Sequence, residues 1–134
     1  MKSIEFLGDV TTIKSFAFQN CYGLESFLIP SKVSKIEEFT FNRCFNLSSI
    51  EILGDLVSIG ESAFRECRNL KRFTIPPNVE AIDRYAFYQC ASLISIIIPS
   101  KVTNISDFLF CECENLESIE ILGDVTSIGM HSFN

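Results

Sequence analysis

One histidine, His131, serves all 134 residues, and that scarcity removes much of enzyme and metal chemistry. A zinc site needs clustered thiolates and imidazoles at short spacings, whereas five of the six cysteines here recur every 23 residues. A Cys–His nucleophile pair would have only His131 to draw on, and His131 shares its column with Phe16, Phe39, Tyr85 and Phe108. The six glycines form neither a Gly-x-Gly-x-x-Gly nor a Walker loop, so no nucleotide cradle is present. Basic residues are also few: 11 against 17 acids, a net charge of −6. That balance argues against nucleic acid, whose phosphates demand a basic stripe, and against an anionic membrane surface. No apolar run approaches the roughly 20 residues that span a bilayer, which excludes membrane insertion by a helix. The first residues lack the unbroken apolar stretch of about 7–15 that a secretion signal needs. Catalytic residues, metal and cofactors are therefore all expected to be absent. A cytoplasmic location is the expectation from the missing leader and from cysteines read as reduced.

What the chain has in abundance is repetition. Cys21, Cys44, Cys67, Cys90 and Cys113 lie 23 residues apart, and Phe18, Phe41, Phe64, Phe87, Phe110 and Phe133 keep step. Leu24, Leu47, Leu70, Leu93 and Leu116 do the same, as do Ile13, Ile36, Ile59, Ile82, Ile105 and Ile128. A fixed period of this size marks a solenoid, in which one short unit stacks on copies of itself. An apolar fraction of 47 % rules out disorder. Residues 1–134 are read as one solenoid domain of nearly six repeats. The longer echo of Ile29–Val33 in Ile98–Val102, and of Ile50–Asp55 in Ile119–Asp124, points to a block duplication of three repeats.

Within one repeat, Ser26–Ile29 reads as a short strand with Phe27 and Ile29 on one face and Ser26 and Leu28 on the other. Pro30 ends it, since proline cannot donate to a ladder. Leu7-Gly8-Asp9, Leu53-Gly54-Asp55 and Leu122-Gly123-Asp124 turn the chain at the same point, with glycine expected to supply backbone freedom. Glu37–Cys44 sets Phe41 and Cys44 three apart, which predicts a turn or two of helix. The five column cysteines are expected to be reduced, buried rungs, because a free cysteine behaves as a small hydrophobe. Cys111 stands in a column of Gln19, Asn42, Arg65 and Tyr88, so partial exposure is expected there.

The pattern Leu-x-x-Ile-x-Ile-Pro-x-x-Val-x-x-Ile-x-x-x-Ala-Phe-x-x-Cys, best kept in Ile75–Cys90, closely resembles the BspA-like leucine-rich repeat. The resemblance covers the whole chain. It implies an α/β-type leucine-rich-repeat solenoid with a short-strand parallel sheet on the concave side and helical or turn segments on the convex side. It also implies matrix or receptor binding by a surface or secreted adhesin, so a cell-surface location stands beside the cytoplasmic one. The expected function is a non-enzymatic protein-interaction or adhesion module. The alternative is an intracellular scaffold or regulatory subunit of a signalling enzyme such as a phosphatase.

Solenoids bind partners along a continuous sheet face. On that face one column reads Ser3, Ser26, Ser49, Arg72, Ser95, Ser118, and the next Glu5, Leu28, Glu51, Thr74, Ile97, Glu120. Ile94–Ile98 is apolar on both sides, which predicts an exposed contact patch. The candidate interface is therefore Leu28, Arg72, Thr74, Ile94, Ile97 and Glu120. Ile4 and Phe6 in the first repeat and Phe133 in the last join it, because neither end carries the charged or proline-rich blunting that protects a sheet edge. Self-association to a dimer or tetramer is the expected outcome, beside protein partners whose identity the sequence does not give.

Overall fold

The computed structural model describes residues 1–134. Nine short strands follow in chain order: β1 (Ser26–Ile29), β2 (Lys35–Ile36), β3 (Ser49–Ile52), β4 (Ser58–Ile59), β5 (Ala81–Ile82), β6 (Ser95–Ile98), β7 (Asn104–Ile105), β8 (Ser118–Ile121) and β9 (Ser127–Ile128). All pairs are parallel and in 23-residue register: Phe27 faces Ile50, Ile36 faces Ile59, Ile96 faces Ile119. Each turn of the solenoid therefore has three sides. The four-residue strands form the first, the two-residue strands the second, and a strandless segment the third.

On the first side the alternation expected of a half-buried strand holds. Phe27 and Ile29 are buried while Ser26 and Leu28 are only half covered. The fourth turn joins this side through a single bridge, Arg72 to Ser95, so β1–β3 and β6–β8 are separate two-stranded sheets. On the second side Ile36, Ile59, Ile82 and Ile105 point inward and are buried.

The third side corrects the expectation of helix. No helix forms anywhere in the chain. Two residues of each complete turn, four apart, adopt left-handed backbone: Phe16 and Asn20, Phe39 and Arg43, Ser62 and Glu66, Tyr85 and Gln89, Phe108 and Glu112, with φ between 54° and 62°. Each such residue interrupts right-handed helical winding at a cost of roughly 1–2 kcal/mol. Hydrogen bonds to the next turn offset it. Phe39, Phe41 and Arg43 donate their backbone N–H groups to the carbonyls of Glu61, Ala63 and Arg65, while Asn42 and Cys44 donate back to Phe39 and Phe41. The alternation satisfies the backbone without a helix, and every step between turns repeats it.

The turn glycines are a second correction. None has positive φ. A Cβ on Gly54 would stand 2.1 Å from the Ser31 carbonyl oxygen, and one on Gly123 would stand 2.3 Å from that of Ser100. Close approach of one turn to the turn beneath it, rather than backbone freedom, requires glycine there. Both lie over a Pro-Ser-Lys turn, Pro30–Lys32 and Pro99–Lys101.

The core is one column. A cluster of 29 buried residues runs from Ile13 to Phe110 without a break between turns. Phe18, Phe41, Phe64, Phe87, Phe110 and Phe133 stack with centroids 5.3–6.2 Å apart and nearly parallel planes. Phe27 meets this stack edge-on at Phe41, and Phe73 does so at Phe87. Cys44, Cys67, Cys90 and Cys113 donate their thiol hydrogens to Phe18, Phe41, Phe64 and Phe87 carbonyls at 3.1–3.3 Å. All six cysteines are unbridged. The inner rungs Cys44, Cys67 and Cys90 are buried, whereas Cys21 and Cys113 in the outer turns are only half buried.

Candidate contact surface

The first side positions the candidate residues, because a strand residue and its partner one turn away share a direction. Ile97 pairs in register with Glu120, and Leu28 with Glu51. Ile97 is 50 % exposed and Ile94, at the corner that leads into β6, is 41 % exposed. Arg72 and Thr74 before them and Glu120 after them are exposed as well. Turns four to six thus bring together Arg72, Thr74, Ile94, Ile97 and Glu120. Leu28 is half-buried and lies on turn two, apart from that group, with Glu51 next to it. Ile4 and Phe6 are half-buried against the core in the first turn, and Phe133 is exposed in the last. The nine predicted residues fall into a patch on turns four to six, Leu28 by itself on turn two, and the two ends, not one surface.

Further side chains belong to the patch that the strand pattern did not reveal. Lys71 and Glu117 occupy the column of Ile94 and are exposed. Leu122 and Ile121 expose apolar surface beside Glu120. Their signal in the sequence is only the 23-residue offset from Ile94, Ile98 and Pro99, which carries no sign of exposure.

The third side is organised differently, around paired polar groups. The Glu66 carboxylate is buried and receives Arg43 Nε at 3.1 Å and Arg68 Nη2 at 2.8 Å. Burial alone would raise its pKa, but the hydrogen bonds and charges of Arg43 and Arg68 outweigh that and hold it below the ordinary carboxylate range. Arg65 lies over the Tyr88 ring at 5.0 Å, and Tyr88 donates to Glu112 at 2.7 Å. Phe16 stacks on Phe39, and Tyr85, Phe108 and His131 stack in turn. His131 stands beside no cysteine-activating arrangement; it caps an aromatic column. Cys111, expected to be partly exposed, is 7 % exposed. A short side chain in that column stays beneath its longer neighbours, as Asn42 also does. Burial pushes the Cys111 thiol above its ordinary pKa, so Cys111 is not an activated nucleophile.

The short parallel strands, the inward leucine and isoleucine columns and the fixed turn length define a leucine-rich-repeat solenoid. The BspA type leucine rich repeat region, in six copies, matches residues 1–106 and 35–134. The chain belongs to the BspA-type leucine-rich repeat family. Among solved structures it is similar to a leucine rich cell surface protein of Faecalibacterium prausnitzii. That likeness has a TM-score of 0.85 and 31 % identity over 90 % of this chain and 33 % of that one. It is also similar to a leucine rich repeat protein of T. pallidum (TM-score 0.66, 30 % identity, 86 % of this chain, 64 % of that one). A leucine-rich repeat protein of Bacteroides ovatus matches with TM-score 0.63 and 27 % identity over 95 % of this chain and 44 % of that one. The chain thus spans between about a third and two thirds of the length of these three proteins. A search of curated proteins gives no match.

Proposed function

We propose that the chain is a non-enzymatic protein-interaction module of adhesin type whose contact surface is the outward face of turns four to six. The observation that carries this reading is the exposed pair Ile94 and Ile97, with Ile97 on β6 in register with β8 and Ile94 at the corner that leads into it. Apolar side chains held out by a packed solenoid lose little entropy on contact and gain from leaving water. On the third side, by contrast, Arg43 and Arg68 are spent on Glu66, and Glu112 on Tyr88. The alternative of a scaffold for a signalling enzyme gains no support from the family or from the similar structures.

Two observations bear on where such contacts are made. The cell-surface description of the F. prausnitzii protein favours display outside the membrane. The column of unbridged cysteines favours a reducing compartment. Fractionation of the source cells with an antibody to the chain decides between them.

A photo-activated cross-linking residue placed at position 97, and in a second variant at position 43 on the third side, tests the contact surface. Adducts are expected from position 97 and few from position 43. Equal yields at the two sites would show that the sheet face has no special role.

A further inference from the structure

The apolar pair of turn five is bracketed by opposite charges. Lys71 and Arg72 stand on turn four, and Glu117 and Glu120 stand on turn six. Lys71, Ile94 and Glu117 share one column of the period; Thr74, Ile97 and Glu120 share another. All four charged side chains are exposed, and none has an ion-pair partner within the chain. The same column pairs elsewhere: Lys2 and Glu25, on adjacent turns, meet at 2.8 Å. Between Lys71 and Glu117 lies a whole turn carrying Ile94. Two inter-strand spacings, about 10 Å, keep them apart.

Charges that cannot reach each other within one chain can do so between two. We propose that this face docks a second copy of the chain, across a two-fold axis that runs parallel to the strands over turn five. Rotation about that line reverses the order of turns and keeps the columns. Ile97 then meets the partner's Ile97, Lys71 meets the partner's Glu117, and Arg72 lies against the partner's Glu117 and Glu120. The other symmetric face-to-face arrangement has its axis along the stack. It sets turn four against turn four and turn six against turn six, basic on basic and acidic on acidic. The charge pattern selects the first. A closed two-fold contact of this kind uses one patch on both copies, which matches an apolar centre with opposite charges at equal distance on either side.

This inference rests on the sheet face being the contact surface and names its occupant. Its test uses two charge-reversed chains, Lys71→Glu with Arg72→Glu, and Glu117→Lys with Glu120→Lys. Sedimentation equilibrium of the parent chain with reductant should give a dimer. Each variant alone carries one sign on both turns and should dissociate about 100-fold more readily. Mixed one to one, the variants should form a heterodimer, because every facing pair is then opposite in sign. Far-ultraviolet circular dichroism confirms that each is folded. If either variant misfolds, the parent decides alone. Its dimer should weaken from about 0.05 M to about 1 M salt, and a salt-independent dimer overturns the charge-paired arrangement. A monomeric parent at every concentration overturns the proposal, as does a mixture that stays monomeric. If foreign adducts still form at position 97 of a monomeric parent, only the self-docking falls. If position 97 yields no adduct of any mass, the contact-surface reading falls with it.

Discussion

Phe64 sits between the rings of Phe41 and Phe87, 5.3 and 5.5 Å away, and is fully buried. Removing it leaves a void that its stacked neighbours cannot fill, so Phe64→Ala should cost about 3–5 kcal/mol in urea unfolding. Phe133 has one stacking neighbour, at 6.2 Å, and is 47 % exposed. Phe133→Ala should cost about 1 kcal/mol, since little apolar area leaves water there. Equal losses would contradict stacking as the source of stability. The cysteine rungs add a pH dependence. Burial pushes Cys44 from 9.0 up to about 12, and Cys67 and Cys90 well above their ordinary value. Between pH 9 and 12 the unfolded chain releases these protons while the folded chain keeps them. Stability from the rungs is therefore whole below pH 9 and falls as pH rises. Urea midpoints at about pH 8 and about pH 10.5 should show this fall, and Cys67→Ala with Cys90→Ala should flatten it. An unchanged slope in the variant would remove the rungs as its cause.

At the scale of the turn, glycine and left-handed backbone are dissociated in this chain. Gly54→Ala forces a Cβ into the Ser31 backbone and should destabilise by about 2 kcal/mol or more, in the range of overpacked sites. Gly8 has no atom within 4 Å of such a Cβ, so Gly8→Ala should be neutral within about 0.5 kcal/mol. A comparable loss at both would return the explanation to backbone freedom. The same dissociation sets how much could be read in the sequence. Phe27, Ile29, Val33, Ile36 and Phe41 were legible as inward residues because a fixed offset repeats them. The third side was not, because its left-handed positions carry Phe, Tyr, Arg and Gln rather than Gly. The bonds that compensate them span 22 residues, beyond any local pattern. Of the contact patch, Ile97 was legible since it breaks the strand's alternation. Lys71 and Glu117 were not, since being unpaired is a property of distances between turns.

Across the whole molecule, stability is shared between neighbours and should fade outward. Backbone N–H groups of Phe64 and Phe87, bonded to Ala86 and Leu109 carbonyls in the middle turns, should exchange with solvent slowest. Those of the first and sixth turns should exchange within the dead time of a manual experiment; uniform protection would mean that the stack opens only as a unit. The inter-turn bonds of the third side have one more property. The backbone ones from the left-handed segments all point the same way, three at each step, with every donor on the earlier turn. Aligned peptide bonds add as dipoles, so this side carries a lengthwise electric moment like that of three helices side by side. Its positive pole lies toward the sixth turn, the direction in which the N–H groups point. The fixed charges oppose it: every lysine and arginine lies at or before Lys101, while six of the seventeen acids follow it. Two such stacks lying antiparallel would each set a pole beside its opposite, which is the orientation that the two-fold contact on the sheet face requires.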